Sequence, residues 1–328
     1  MQIQNGRFLV IGGAGLIGSH LVDQLLTAGA RKVRVYDNFS RGTMENLKGA
    51  LEDARCEIFA EGGDIQHKDI LLKAMEGIDG VFHLAALWLL QCYEYPRSAF
   101  DVNIAGTMNV IEAVIASGVK RLVFSSSASV YGDAVSEPIE EDHPLLCQEF
   151  YGASKASGEL ILRAMYNREK NHEGAFDYVG LRYMNVYGPR QDDKGAYVGV
   201  ITRMLNAMDE GKAPVIHGDG NQAYDFVDVR DCAWANILAM QAQTTSCTYN
   251  VGTGVKTSIA KLSSMLSTLH PQQLSATYQP TERPFVKNRV GSTKLAQQDL
   301  GFTAEIKLEA GLKDLIHWRA CQYVGRLN

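Results

Sequence analysis

The stretch VIGGAGLIGSH, residues 10–20, constrains the fold more than any other part of the chain. An apolar run, RFLVI, ends at Gly12, and a helical spacing of apolar residues follows in GSHLVDQLLTAGA. Gly12, Gly15 and Gly18 occupy the junction. Glycines between a strand and a helix allow a tight turn and let another group approach the helix N-terminus, which favours anions. The spacing is GxxGxxG, not the more familiar GxGxxG, so the motif alone also fits a plain strand–helix turn.

The surrounding pattern decides between these. KVRVYDN, GVFHLAA, RLVFSSS and DYVGLRYMNVYG are short apolar runs read as strands, and GTMNVIEAVIASGV is the helix between the second and third of them. Continuous apolar strands separated by helices predict a parallel sheet covered on both faces, with right-handed crossovers. The fold class is therefore α/β, a doubly wound parallel sheet. After Gly188 the pattern loosens into a turn-rich break, YGPRQDDKG, then AYVGVITRMLNAMDEG (helix), APVIHGDG (strand and turn), VRDCAWANILAMQAQ (helix) and TYNVG, a strand that could rejoin the sheet. IAKLSSMLSTL, TKLAQQDLGF and LEAGLKDLIHWRACQ are helical. The expected division is a dinucleotide-binding unit over 1–184, to which 225–252 return. A smaller C-terminal substrate unit takes 185–224 and 253–328.

Composition excludes several classes. A net charge of −5 with scattered cations gives no nucleic-acid footprint. The six cysteines contain no CxxC or CxxH pair, so neither a metal site nor a disulfide framework is expected, and a reducing cytoplasm is. The longest uncharged apolar stretch, GVFHLAALWLLQCY, has 14 residues against the roughly 20 that a membrane helix needs, so no membrane association is expected.

Chemistry is written at four further places. Asp37 ends the second strand, 19 residues after Gly18, where a carboxylate can accept from adenosine ribose hydroxyls and repel a 2′-phosphate. NAD is thus favoured over NADP. Asp64-Ile65 fits an adenine contact at the end of the third strand. In YGASK, Tyr151 and Lys155 are four apart at a helix start and share a face. A neighbouring ammonium and a positively charged nicotinamide are expected together to lower the phenol's pKa and make it a base. Three serines, 125–127, close the strand before it.

Together GGAGLIGSH, YDNFSRG, GDI, FHLAA, DVNIAGTMNVIEA, FSSSASVYG, YGASK, LRYMNVYGPR and GDGNQAYDFVDVRD resemble the extended short-chain dehydrogenase/reductases of the nucleotide-sugar epimerase/dehydratase group. They stand in family order over residues 12–231. The nearest pattern is that of the UDP-galactose and UDP-glucuronate 4-epimerases. The resemblance implies a Rossmann-type sheet, bound NAD, a nucleotide-diphospho-sugar substrate and a homodimer through helices near 100–117 and 152–170.

It also implies roles. Ser127, four before the tyrosine of VYG, is the catalytic serine that relays the sugar 4-hydroxyl proton to Tyr151, with Lys155 beside it. Dehydratases of the family carry Asp-Glu, and decarboxylases Ser-Glu, where this chain has Ala128-Ser129, so epimerisation remains. Leu16, Ile17, the Asp37–Gly42 turn (Asn38, Ser40, Arg41), Leu84, Ala85, Ala86, Asn103 and Ser125 are expected at NAD, with Tyr183 and Met184 by the nicotinamide. Asn185 would hold the diphosphate or sugar, and Val215 and His217 would flank the uracil. The chain departs from the family at Tyr224, where most relatives carry a phosphate-binding arginine. Arg289 and Arg283 are candidate replacements. Trp88 replaces a pocket lysine. Asn288 falls where galactose epimerases have a bulky tyrosine, which implies room for an N-acetylated sugar, while Lys287 and Arg289 could pair with a uronate carboxylate. Two rival readings are a 4-keto-sugar reductase, which the carboxylate of Asp37 opposes through its usual NADPH, and a non-catalytic NAD-binding protein.

Overall fold

Strands that are apolar along their whole length need cover on both faces, and the computed structural model supplies it over the described residues 1–172, 176–192, 199–280 and 288–327. Strands β1 (Arg7–Ile11), β2 (Lys32–Tyr36), β3 (Cys56–Ile58), β4 (Gly80–His83), β5 (Arg121–Ser127), β6 (Asp177–Tyr183) and β7 (Cys247–Val251) form one sheet, in the order β3-β2-β1-β4-β5-β6-β7. Every pairing is parallel. The doubly wound sheet expected from the sequence is present, and TYNVG does rejoin it.

The side-chain period of two sorts β1 between two cores. Phe8 and Val10 join Leu21, Val22 and Leu25 of helix α1 (Leu16–Thr27) on one face. Leu9 and Ile11 meet helices α2 (Lys68–Ala74) and α3 (Thr107–Ala116) on the other, together with Leu162 and Met165 of α4 (Phe150–Glu169). Helix α5 (Val229–Gln241) packs beside α1 on the first face. The strand order reverses between β1 and β4. At such a point the strand ends open into a crevice, the usual ligand position in this fold.

DYVGLRYMNVYG is not one strand. The chain leaves β7 at Met184, whose N–H still donates to the Val251 carbonyl at 2.9 Å. The next N–H, of Asn185, donates to Asp225 instead, and Asn185–Tyr187 pairs with Phe226–Asp228. The switch aims Met184 and Asn185 at the crevice rather than along the sheet.

A third core, with Tyr187, Met204, Leu205, Ile216, Phe226, Leu262, Leu266 and Leu312, holds the C-terminal helices and short strands together. Residues 294–302 do not belong to it. Ala296, Leu300 and Phe302 pack into the sheet's core, against α5 and β7. The helical run Pro96–Ala116 is long and apolar enough by composition to span a bilayer. Here it packs on α2 and α4.

Candidate active site

The glycine junction shapes the first wall of the crevice. Gly12 has φ +81°, and a Cβ there would press on the Ala85 backbone nitrogen; one at Gly18 would overlap the Gly12 carbonyl. The turn therefore brings the Gly15 end of α1 close to the end of β4, and no side chain caps the helix there. A cavity of about 620 Å³ opens in front of it. Gly12, Gly15, Leu16, Ile17, Gly18, Arg41, Leu84, Ala86, Ser125, Tyr151, Lys155, Tyr183, Met184, Asn185 and Arg289 all line it. The uncapped helix end, the glycine cradle and a neighbouring carboxylate fit a dinucleotide such as NAD.

That carboxylate is Asp37. Its oxygens accept from the N–H groups of Ala14 and Phe39, each at 2.8 Å, and burial raises its pKa. Asn38 folds the turn onward by accepting from the Ser40 N–H at 3.1 Å. Gly42 is needed because a Cβ there would strike Ala14.

Tyr151 and Lys155 meet the end of β5 as their spacing predicts. The Ser127 hydroxyl lies beside the Tyr151 phenol, and Lys155 Nζ donates to the Ser125 carbonyl at 2.7 Å. The Ser127 hydroxyl also accepts from the Ser129 N–H at 3.1 Å. The lysine does not by itself bring the phenol's pKa down. Burial pushes the phenol up to about 12, with the neighbouring Ser127 hydroxyl opposing it, and pulls Lys155 down to about 8. Lys155 Nζ is turned to a carbonyl and lies 5.9 Å from the Tyr151 ring centre.

Other expected residues lie behind the wall. Asn103 is buried, and its amide group is spent on the Leu87 N–H (2.7 Å), the Leu87 carbonyl (2.8 Å) and Ser154 (3.1 Å). It holds the loop after β4 against α4. Ala85 donates its N–H to Ile11, Ile65 is core, and Asp64 holds its own turn by accepting from the Gln66 N–H. Val215 and His217 alternate with buried Ile216, are exposed, and are not among the residues that line the cavity. Asn288 is likewise off the cavity because its neighbour Arg289 faces it. Arg283 and Lys287 lie outside the described residues.

Tyr224 stands where an arginine is expected, and the fold sets an arginine beside it. The strand Asn288–Arg289 runs parallel to Ala223–Tyr224 with Arg289 in register with Tyr224. Arg289 is 8% exposed, lines the cavity, donates to Ser129 Oγ at 3.4 Å and leaves Nε without a partner. Burial lowers its pKa.

Sequence reasoning missed Arg190 and Arg203, which also line the cavity. With Arg41, Lys155 and Arg289 they face a single lining carboxylate, Asp192, among the described residues. Arg41 stacks 4.7 Å over the Trp88 ring and pairs with Asp192 at 3.1 Å. The cavity is built for a polyanion. YGPRQ carries Arg190 but reads as a turn, and Arg203 reads as any surface arginine of a helix.

A dinucleotide cradle, a serine–tyrosine–lysine group and a cationic cavity at one switch point define a nucleotide-dependent enzyme of this fold. The pattern of the NAD dependent epimerase/dehydratase family matches residues 8–252, and the chain belongs to that family. It is 33% identical to the UDP-glucose 4-epimerase of Mycolicibacterium smegmatis, over 95% of this chain and 98% of that one. It superposes with a TM-score of 0.89 on the UDP-N-acetylglucosamine 4-epimerase of Methanobrevibacter ruminantium M1, solved with UDP-N-acetylmuramic acid (33% identical, 97% and 99% covered). The TM-score is 0.88 on the Thermotoga maritima UDP-glucose 4-epimerase solved with UDP-glucose (32% identical, 97% and 99% covered).

Proposed function

We propose that the chain is an NAD-dependent 4-epimerase of a nucleotide-diphospho-sugar, a UDP-hexose, UDP-N-acetylhexosamine or UDP-hexuronate. One observation carries the reading: Ser127 lies beside Tyr151 of the cavity wall, and the residues after it are Ala128 and Ser129. Neither is an acid able to expel a hydroxyl, so the machinery for oxidation at C4 stands without that for elimination.

Gly12, Gly15, Gly18, Leu16, Ile17 and Asp37 would hold NAD. When bound, NAD supplies a reversible redox partner for C4 and, in its oxidised form, a positive charge that opposes the effect of burial on Tyr151. Ser127 passes the 4-hydroxyl proton to Tyr151 and returns it to the epimer. Arg289 and Asn185 tether the diphosphate while the 4-keto sugar turns over. The test is a panel of UDP-sugars followed by NMR for C4 epimers. No epimer from any of them, with net consumption of NADPH instead, overturns the reading.

A cycle that restores its own cofactor gains nothing from releasing it. The purified protein is expected to carry NAD(H), and Asp37→Ala to weaken its retention, as absorbance and extraction of the purified protein would show. Arg289→Met is expected to raise KM for the UDP-sugar by about 10–100-fold, the worth of a charged hydrogen bond. An unchanged KM would place the diphosphate elsewhere.

We further propose a cytoplasmic homodimer. Tyr93, Tyr95, Phe100 and Leu160 are exposed on the helices over 89–106 and on α4, and a second copy would cover them. Light scattering of the purified protein checks this.

A further inference from the structure

The middle serine of the triple lies between two residues of the site. The Ser125 carbonyl holds Lys155, and Ser127 lies beside Tyr151. Ser126, 2% exposed, donates its hydroxyl to Glu159 Oε1. Glu159 stands on α4, four residues after Lys155 and eight after Tyr151, on the same stripe. Its carboxylate is gripped by the Arg182 fork of β6, Nε to Oε1 at 2.9 Å and Nη2 to Oε2 at 2.6 Å. Both side chains are at least nine-tenths buried.

The network continues. Arg182 Nη1 donates to the Tyr131 hydroxyl at 2.8 Å, and that hydroxyl donates to Asn250 Oδ1 at 2.6 Å. The Asn250 amide donates to the carbonyls of Ile139 (3.0 Å) and Ser292 (3.2 Å). Ile139 in turn bonds Val290, the residue after Arg289, donating its N–H to the Val290 carbonyl at 2.8 Å. A chain of buried hydrogen bonds thus runs from the strand end that carries Ser127 to the strand that carries Arg289.

A buried ion pair adds little net stability over an apolar pair of the same volume, because desolvation offsets the Coulomb attraction. Stability alone is a weak reason for this one. Geometry is a better reason, since a bidentate fork fixes both elements in direction as well as distance. We propose that Glu159 and Arg182 are positioning residues: they lock the end of β5 against α4 so that Ser127 stays on Tyr151, and they keep the Arg289 strand in register with that pair. The proposal rests on the reading of Ser127 and Tyr151 as the proton-transfer pair.

The test compares Glu159→Gln, Ser126→Ala, the double variant and Tyr151→Phe on whichever of UDP-glucose, UDP-N-acetylglucosamine and UDP-glucuronate the chain turns over fastest. Glu159→Gln is expected to lower kcat by about 10²-fold, the effect of a small misplacement at a reacting centre, with KM little changed. Ser126→Ala acts through the same carboxylate, so the double variant loses no more than Glu159→Gln alone. Wild-type kcat in Glu159→Gln with only a lower melting temperature overturns the proposal, and so do additive losses. If Glu159→Gln fails to fold, Ser126→Ala decides: a loss in kcat at unchanged KM supports the network, and wild-type kcat overturns it. Wild-type kcat in Tyr151→Phe overturns the proton-transfer reading itself. Loss in Tyr151→Phe beside normal rates in the other variants overturns only the positioning role.

Discussion

Tyr151→Phe is expected to lower kcat by about 10²–10⁴-fold, the usual worth of a positioned acid–base group, with a modest effect on KM. The ring is kept, so the cavity wall that Tyr151 forms stays closed. Only the hydroxyl beside Ser127 is lost. Ser127→Ala should act in the same direction and also mainly on kcat. Ser125→Ala should not match it, because the Ser125 hydroxyl meets Tyr183 at 3.2 Å and it is the backbone carbonyl that holds Lys155. Equal losses from Ser125→Ala would move the proton relay to the wrong serine. Steady-state kinetics on a substrate that the chain epimerises is the measurement.

What could be read from the sequence follows from periodicity and backbone chemistry. Six of the seven parallel strands show as apolar runs, the third, Cys56–Ile58, being too short and too polar to do so, and the glycine junction shows because no other residue fits so close to the Ala85 backbone and the Gly12 carbonyl. The Tyr151–Lys155 pair shows because a four-residue spacing on a helix is a geometric statement by itself. Three features escape for physical reasons. Val215 and His217 are expected beside the uracil by resemblance, and that resemblance does not show that alternation gives Ile216 to the third core and leaves both of them exposed. The pKa of Tyr151 depends on burial, which no spacing contains, and burial outweighs the charge four residues away. Arg289 reaches the cavity only because its strand pairs with Tyr224, 65 positions earlier in the chain. Long-range register of that kind leaves no local signal.

Lys155→Met is expected to remove activity and yet stabilise the cofactor-free chain. Lys155 is 5% exposed, and burial lowers its pKa from 10.5 to about 8, so the folded state resists its charge. A shift of that size corresponds to about 3 kcal/mol, from which the lost charged hydrogen bond to Ser125 subtracts about 2 kcal/mol. A net gain of about 1 kcal/mol remains. The sign fixes the pH dependence. Below pH 8 the lysine is charged in both states and the folded chain bears the whole penalty. Between 8 and 10.5 the unfolded chain binds the proton more tightly, so wild-type stability rises with pH. The advantage of the methionine variant is therefore full at neutral pH and shrinks as the pH climbs through 8 towards 10.5. Thermal unfolding of both cofactor-free proteins over that range measures it. A methionine variant that is less stable at neutral pH, or a difference that does not change with pH, would mean that the Ser125 carbonyl and the surrounding dipoles already satisfy the ammonium. Lys155 would then be a structural anchor of β5 rather than a charge held in the cavity wall for its chemistry.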